Sequence, residues 1–144
     1  MTPEERAARS AAAMWANDAA TQSLGMELIE VAPGRAVITM RVTPNMLNGH
    51  GICHGGYIFT LADSAFAFAC NSYNQLVVAQ ENTITFLAPG KAGELLTAQA
   101  TEQHLAGRSG IYDAVVTGED GRKIALFRGL SRSIKGQHFE EEHP

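Results

Sequence analysis

Two short stretches of this chain hold residue types suited to chemistry at a carbonyl. His54-Gly55-Gly56 stands where a helix is expected to begin, and Asp63 follows inside that helix. A helix N-terminus exposes unpaired N–H groups at the positive end of its dipole. Glycine there lets a ligand atom approach the backbone closely. Such a start can polarise a carbonyl, although the same glycines also serve as a plain turn into the helix. Between Val42 and Gly90 the only formal charges are Asp63 and Glu81, and neither has a basic neighbour in sequence. A lone carboxylate in apolar surroundings is costly unless it is hydrogen-bonded or has a task. Two readings of Asp63 stay open: it caps or bonds neighbouring backbone in a polar crevice, or it has a chemical task. Thr60, Asp63 and Ser64 fall at i, i+3 and i+4, a narrow polar stripe on one helix face.

Spacing relates the two features. Gly55 and Asp63 are eight residues apart, which is about 12 Å along one helix axis. One helix cannot bring both to one scissile carbonyl. A second copy whose helix runs antiparallel to the first can, and a two-fold dimer then holds two shared sites.

Other constellations carry less. His50, Cys53 and His54 have no second ligand cluster and fit no standard zinc spacing, so no metal is expected. Cys53 and His54 are adjacent, and adjacent side chains rarely face each other as a nucleophile–base dyad must. GHGICHGG lacks the strand–turn–helix setting and later acid of a dinucleotide fingerprint. Residues 108–135 hold Arg108, Arg122, Lys123, Arg128, Arg132 and Lys135 against Asp113, Glu119 and Asp120, a local excess of three positive charges. That segment reads either as a solvated strand face or as a patch for a phosphorylated ligand. Tyr57, Phe59, Phe66 and Tyr73 are candidates to line an apolar pocket.

The elements that position these residues follow from pattern. Pro3, Glu4, Glu5 and the alanines after them predict a helix over 3–18, with Gly25 as a stop. Strands are predicted over 26–32 and 35–42, turning at Pro33-Gly34, and a second helix over about 54–72. Four further strands are predicted over 76–88, 94–106, 110–118 and 122–134. In the last, Arg128 and Arg132 share a parity with Leu126 and Leu130, so Gly129 is expected to mark a bulge. The second helix is apolar almost all round and should be buried on most sides. The expected class is α+β: a central helix wrapped by an antiparallel sheet, with an extra N-terminal helix.

Length and composition agree. The chain has 144 residues, 45% hydrophobic and 18% charged, enough for one domain with its own core. A single domain over 1–136 and a flexible tail over 137–144 are expected. Net charge is −4, and Glu140, Glu141 and Glu142 supply three of those negative charges. Attraction to nucleic acid or to anionic membrane is therefore not expected. No apolar run is long enough to span a bilayer. Cys53 and Cys70 make no disulfide framework, and without a secretory pattern a reducing cytoplasmic location is expected.

At NMLNGHGICHGGYIFTLADSAFAFACNS the likeness becomes specific. Asn48-Gly49-His50, His54-Gly55-Gly56 and Leu61-Ala62-Asp63, followed by Thr83-Ile84-Thr85-Phe86-Leu87-Ala88-Pro89-Gly90, resemble the hotdog-fold acyl-CoA thioesterases of the PaaI type. The resemblance runs over about residues 10–135. It implies a hotdog fold, with five to six strands around the central helix, and dimers that often stack into tetramers. It implies hydrolysis of acyl-CoA thioesters, with a preference for phenylacetyl and hydroxyphenylacetyl groups. Carried over, Asp63 is the general base or nucleophile, the Gly55 N–H polarises the carbonyl, and Asn48 and His54 position carbonyl or water. Gly56, Tyr57, Ser64 and Arg108 are the substrate-binding candidates. Coenzyme A enters as part of the substrate, and no separate cofactor is implied. Residue 67 is Ala, which departs from relatives that use Glu with a threonine one turn later. A non-catalytic acyl-CoA-binding sensor is the alternative, and the retained Asp63 argues against it.

Overall fold

Thr2 opens the first helix. In the computed structural model, which describes residues 1–141, its hydroxyl accepts from the Glu5 N–H while the Glu5 carboxylate accepts from the Thr2 N–H, both at 3.1 Å. Losing such a cap costs about 1 kcal/mol. Helix α1 (Pro3–Asn17) ends at Asp18, whose side chain accepts from the Thr21 N–H and starts a separate short helix, α2 (Ala19–Ser23). The pattern predicts a single helix to residue 18 and no α2. Asp18 breaks the helical path with a side chain that accepts from the Thr21 N–H and hydroxyl of the next helix. Gly25 then leaves in the left-handed region at φ +68°.

Six strands follow: β1 (Glu27–Ala32), β2 (Arg35–Arg41), β3 (Val77–Phe86), β4 (Leu95–Ala106), β5 (Ser109–Thr117) and β6 (Lys123–Ser133), with helix α3 (Gly55–Cys70) between β2 and β3. All neighbours pair antiparallel in the order β1-β2-β4-β5-β6-β3. The sheet wraps α3, whose Ile58, Leu61, Ala62, Ala65, Phe66, Phe68, Ala69 and Cys70 are buried. Facing them are Ile38, Met40, Leu96, Ala98, Ala100, Tyr112, Ala114, Val116 and Phe127. Burial on this scale, at roughly 25 cal/mol per Å² of apolar surface, is what holds helix and sheet together. This is the hotdog arrangement expected from the resemblance.

Gly129 is not a bulge. It pairs in register with Asn82 on β3 and Tyr112 on β5. The irregularity lies on β3, between Ala79 and Glu81. Glycine is needed at 129 because a methyl there would stand 2.6 Å from Phe66 Cε2, and that ring is buried in the core. Arg128 and Arg132 share the leucines' parity because all four lie on the sheet face away from α3.

Contacts reach into the stretch expected to form a loose tail. Asn74, itself left-handed at φ +55°, accepts through Oδ1 from the N–H groups of His138 and Phe139 and donates to the Phe139 carbonyl and the Glu141 carboxylate. Arg6 grips Glu141, and the Arg9 guanidinium lies 4.2 Å from the Phe139 ring centroid. These polar and cation–π contacts tie residues 138–141 to α1 and to the turn after α3. Residues 142–144 of the expected tail lie outside the described residues.

Candidate active site

The turn into α3 is built by its own side chains. Asn48 Oδ1 accepts from the His50 N–H at 2.9 Å and from the Ile52 N–H at 3.4 Å, closing the loop over 48–52. The His54 N–H donates to the Met46 carbonyl at 2.7 Å. The His54 ring caps the helix: Nδ1 accepts from the Gly56 N–H at 2.9 Å. The ring therefore keeps a lone pair on Nδ1, which places its proton on Nε2 when neutral. The Tyr57 N–H goes to the His54 carbonyl. Of the first donors of α3, the Gly55 N–H has no partner among the described residues. It sits at the positive end of a sixteen-residue helix. The cap that occupies Gly56 thus leaves Gly55 free to donate.

Gly55 also makes room for a ring. A methyl at its α-carbon would stand 2.9 Å from Cζ of Phe86, which is 50% exposed at the end of β3. Tyr57 is half-buried and meets the His54 ring edge-on, with centroids 6.3 Å apart. Asn48, His54, Gly55, Gly56, Tyr57 and Phe86 are gathered around this helix start.

Asp63 lies two turns further along the same helix, half-buried. Its Oδ1 accepts from the Asn82 amide at 2.9 Å. Burial raises its pKa above the ordinary carboxylate value, and the Asn82 hydrogen bond opposes the rise. No cation pairs with it among the described residues. No motif in the sequence marks Asn82. The available signal was parity: Asn82, Ile84 and Phe86 alternate toward α3, and an amide is out of place on such a face.

The remaining candidates are placed less favourably. The Ser64 hydroxyl is 3.2 Å from that of Thr21, whose own hydroxyl donates to Asp18, so this part of the polar stripe ties α3 to α2. Thr60 donates back to the Gly56 carbonyl. Arg108 donates to the Ser133 carbonyl beside a cavity of about 90 Å³ that Cys70 also lines, at the C-terminal end of α3. It stands at the opposite end of the helix from Gly55. Phe66 is enclosed by Tyr112, Phe127 and the backbone at Gly129, and the Tyr73 hydroxyl donates to Glu102. Neither ring is placed to line a pocket at the start of α3. The basic segment is also partly committed. Arg128 binds Asp113 through two nitrogens. Arg122 joins Asp120, the Pro89 carbonyl and Glu94. Burial alone would raise the Glu94 pKa, but Arg122 and the Lys91 and Glu119 N–H groups outweigh it and hold the carboxyl below its usual value. Cys53 is buried and its thiol is pushed up to about 11. With His54 Nδ1 already capping the helix, these two form no dyad. Among the described residues no group of three His, Cys, Asp or Glu is arranged to hold a metal ion, and no helix is long and apolar enough to cross a membrane.

A helix-wrapping antiparallel sheet, an unpaired N–H at the start of the wrapped helix and a half-buried carboxylate two turns on define a hotdog-fold protein of the thioesterase class. Residues 50–125 match the thioesterase superfamily, and the chain belongs to it. It is 48% identical over 131 residues to the acyl-coenzyme A thioesterase PaaI of Escherichia coli, covering 91% of this chain and 94% of that one. The structure of the E. coli PaaI protein from the phenylacetic acid degradation operon superposes with a TM-score of 0.93 at 46% identity, over 94% of this chain and 99% of that one. A Streptococcus mutans protein solved bound to acetyl CoA superposes with a TM-score of 0.75 at 25% identity, over 78% of this chain and 90% of that one. The chain is accordingly a thioester hydrolase of the acyl-CoA thioesterase kind.

Proposed function

We propose that this hydrolase cleaves phenylacetyl-CoA and its hydroxylated relatives to free acid and CoA, at two sites shared between subunits of a dimer. One observation carries the reading: among the described residues a single helix presents an unpartnered N–H at Gly55 and a half-buried, cation-free carboxylate at Asp63. Helix rise separates them by about 12 Å, so a Gly55 and an Asp63 meet at one carbonyl only when they come from two different copies. Strand β3 ends the sheet with one long side unpaired and Val78, Phe86 and Leu87 exposed along it. Pairing through that edge brings a partner to the side of the helix where Asn82 meets Asp63. The acyl preference rests on the likeness to PaaI.

In the reaction, a water adds to the thioester carbonyl carbon while Asp63 takes its proton. The oxyanion forms against the Gly55 N–H. The C–S bond then breaks, and CoA leaves as the thiolate and is protonated. Asp63 is also able to attack the carbon itself, giving an anhydride that one water opens to the same products. A thioester is a good electrophile and a thiolate a good leaving group, so a carboxylate and a dipole suffice and the chemistry calls for no metal or cofactor.

The test is thiol release from phenylacetyl-CoA, acetyl-CoA and a medium-chain acyl-CoA, with the parent and Asp63→Asn compared. We expect fastest release from phenylacetyl-CoA and a loss of about 10² or more in Asp63→Asn, the range for a positioned base. Unchanged turnover in Asp63→Asn removes that residue from its role. CoA binding without release from any thioester would favour the sensor alternative. Mixing Asp63→Asn subunits with Gly55-blocked subunits should restore activity, and no rescue after verified exchange rejects the shared site.

A further inference from the structure

Asp63 meets one side chain that neither the sequence motifs nor the proposed chemistry assigns. Asn82 lies on the edge strand β3, reaching α3 from that end of the sheet, and its Nδ2 donates to Asp63 Oδ1 at 2.9 Å. The other end of the same amide, Oδ1, is buried and has no hydrogen-bond partner among the described residues. Buried polar atoms are rarely left unmatched, because nothing replaces the water they gave up. Turning the amide over would not help: it would set its oxygen against the carboxylate, acceptor against acceptor. The orphaned oxygen is therefore the consequence of aiming the nitrogen at an ionised Asp63. Ile84 and Phe86 share this inward face, so an apolar residue at 82 would satisfy the fold at least as well. Stability alone does not account for an amide here.

We propose that Asn82 is the positioning residue for Asp63: it holds Oδ1 of the ionised carboxylate and leaves Oδ2 free and oriented for the reacting water or carbonyl. This rests on the reading of Asp63 as the base or nucleophile. Burial works against ionisation of that carboxylate, and the Asn82 donor is the one side-chain contact that works for it. An aspartate that rotates, or that picks up a proton, loses either function.

The experiment uses the full chain with phenylacetyl-CoA and records kcat/KM against pH, with melting temperatures measured alongside. Asn82→Leu is expected to melt at or above the parent temperature. Its kcat/KM at neutral pH should fall about 10- to 100-fold, the range a hydrogen bond to an ionised group supplies, and its acid limb should move to higher pH. Asn82→Asp keeps the shape but sets a second carboxylate within hydrogen-bonding distance, so two acids share one proton and the limb should move further up. Should the leucine variant fail to fold, the isosteric aspartate decides by the same limb. Parent-like kcat/KM with an unmoved limb overturns the proposal. So does activity falling in step with melting temperature while the limb stays in place, since that describes a structural residue. The Asp63→Asn control separates the layers: if it turns over like the parent, Asp63 itself is not the base, whatever Asn82 does.

Discussion

Gly55→Ala separates catalysis from folding more cleanly than any other single change at this site. The backbone there is helical, so alanine meets no conformational penalty and gains a little helix propensity. The added methyl would stand 2.9 Å from Phe86 Cζ. Ordinary carbon–carbon contact is about 3.5–4.0 Å, so the ring must retreat by roughly 0.6–1.1 Å. Phe86 is half exposed at a strand end and its ring can swing toward solvent, which keeps the stability change within about 1 kcal/mol. The methyl also crowds the space next to the Gly55 N–H. If that N–H receives the oxyanion, turnover of phenylacetyl-CoA, followed by thiol release, should fall about 10²- to 10³-fold, the range for losing one such donor. The melting temperature should barely move. Adding Phe86→Ala removes the clash but leaves the methyl in place. Activity that stays low in the double variant supports obstruction of the donor. Activity restored by Phe86→Ala would refute it, because the loss would then come from the displaced ring.

Further expectations concern pH and packing. Because burial raises the Asp63 pKa, the acid limb of kcat/KM should lie above the ordinary carboxylate range; a limb at the value of an exposed aspartate would contradict the half-buried base. The same shift sets a sign for stability. An acid whose folded pKa exceeds its unfolded one destabilises the fold once ionised, fully above the folded pKa and not at all below the unfolded one. Asp63→Asn should thus melt higher than the parent at neutral pH, and calorimetry should show that gain vanish as the pH is lowered. Gly129→Ala forces a methyl to within 2.6 Å of the buried Phe66 ring. Overpacking of this kind costs about 1–3 kcal/mol, so the urea midpoint should drop while turnover per folded molecule is kept; an unchanged midpoint would show that the core yields there.

What could be read from the chain divides by sequence distance. The wrapped helix, its glycine start and the succession of strands along the chain rest on local pattern: an apolar run too uniform for one face and turn residues between alternating segments. Those features appear where expected. Asp18 falls inside the predicted helix because a capping side chain and a helix interior look alike in an alanine-rich stretch. Gly129 looks like a bulge in sequence because parity shows that residues share a face but not which face the core occupies. The basic segment shows the same limit. Counting charges yields an excess, yet β5–β6 register sets Arg128 against Asp113 and a turn sets Arg122 against Glu94, so two of those cations serve the fold. The Asp63–Asn82 contact spans nineteen residues and a change from helix to strand. Locally it shows only as a lone charge on a narrow helix stripe and an amide on a strand face that should be apolar. Each alone reads as a tolerated exception. A charge on the buried side of a helix needs a donor, and a strand that follows that helix and packs on it is the nearest place to find one. An inward-facing amide on that strand is then better read as the carboxylate's partner than as an error in the alternation.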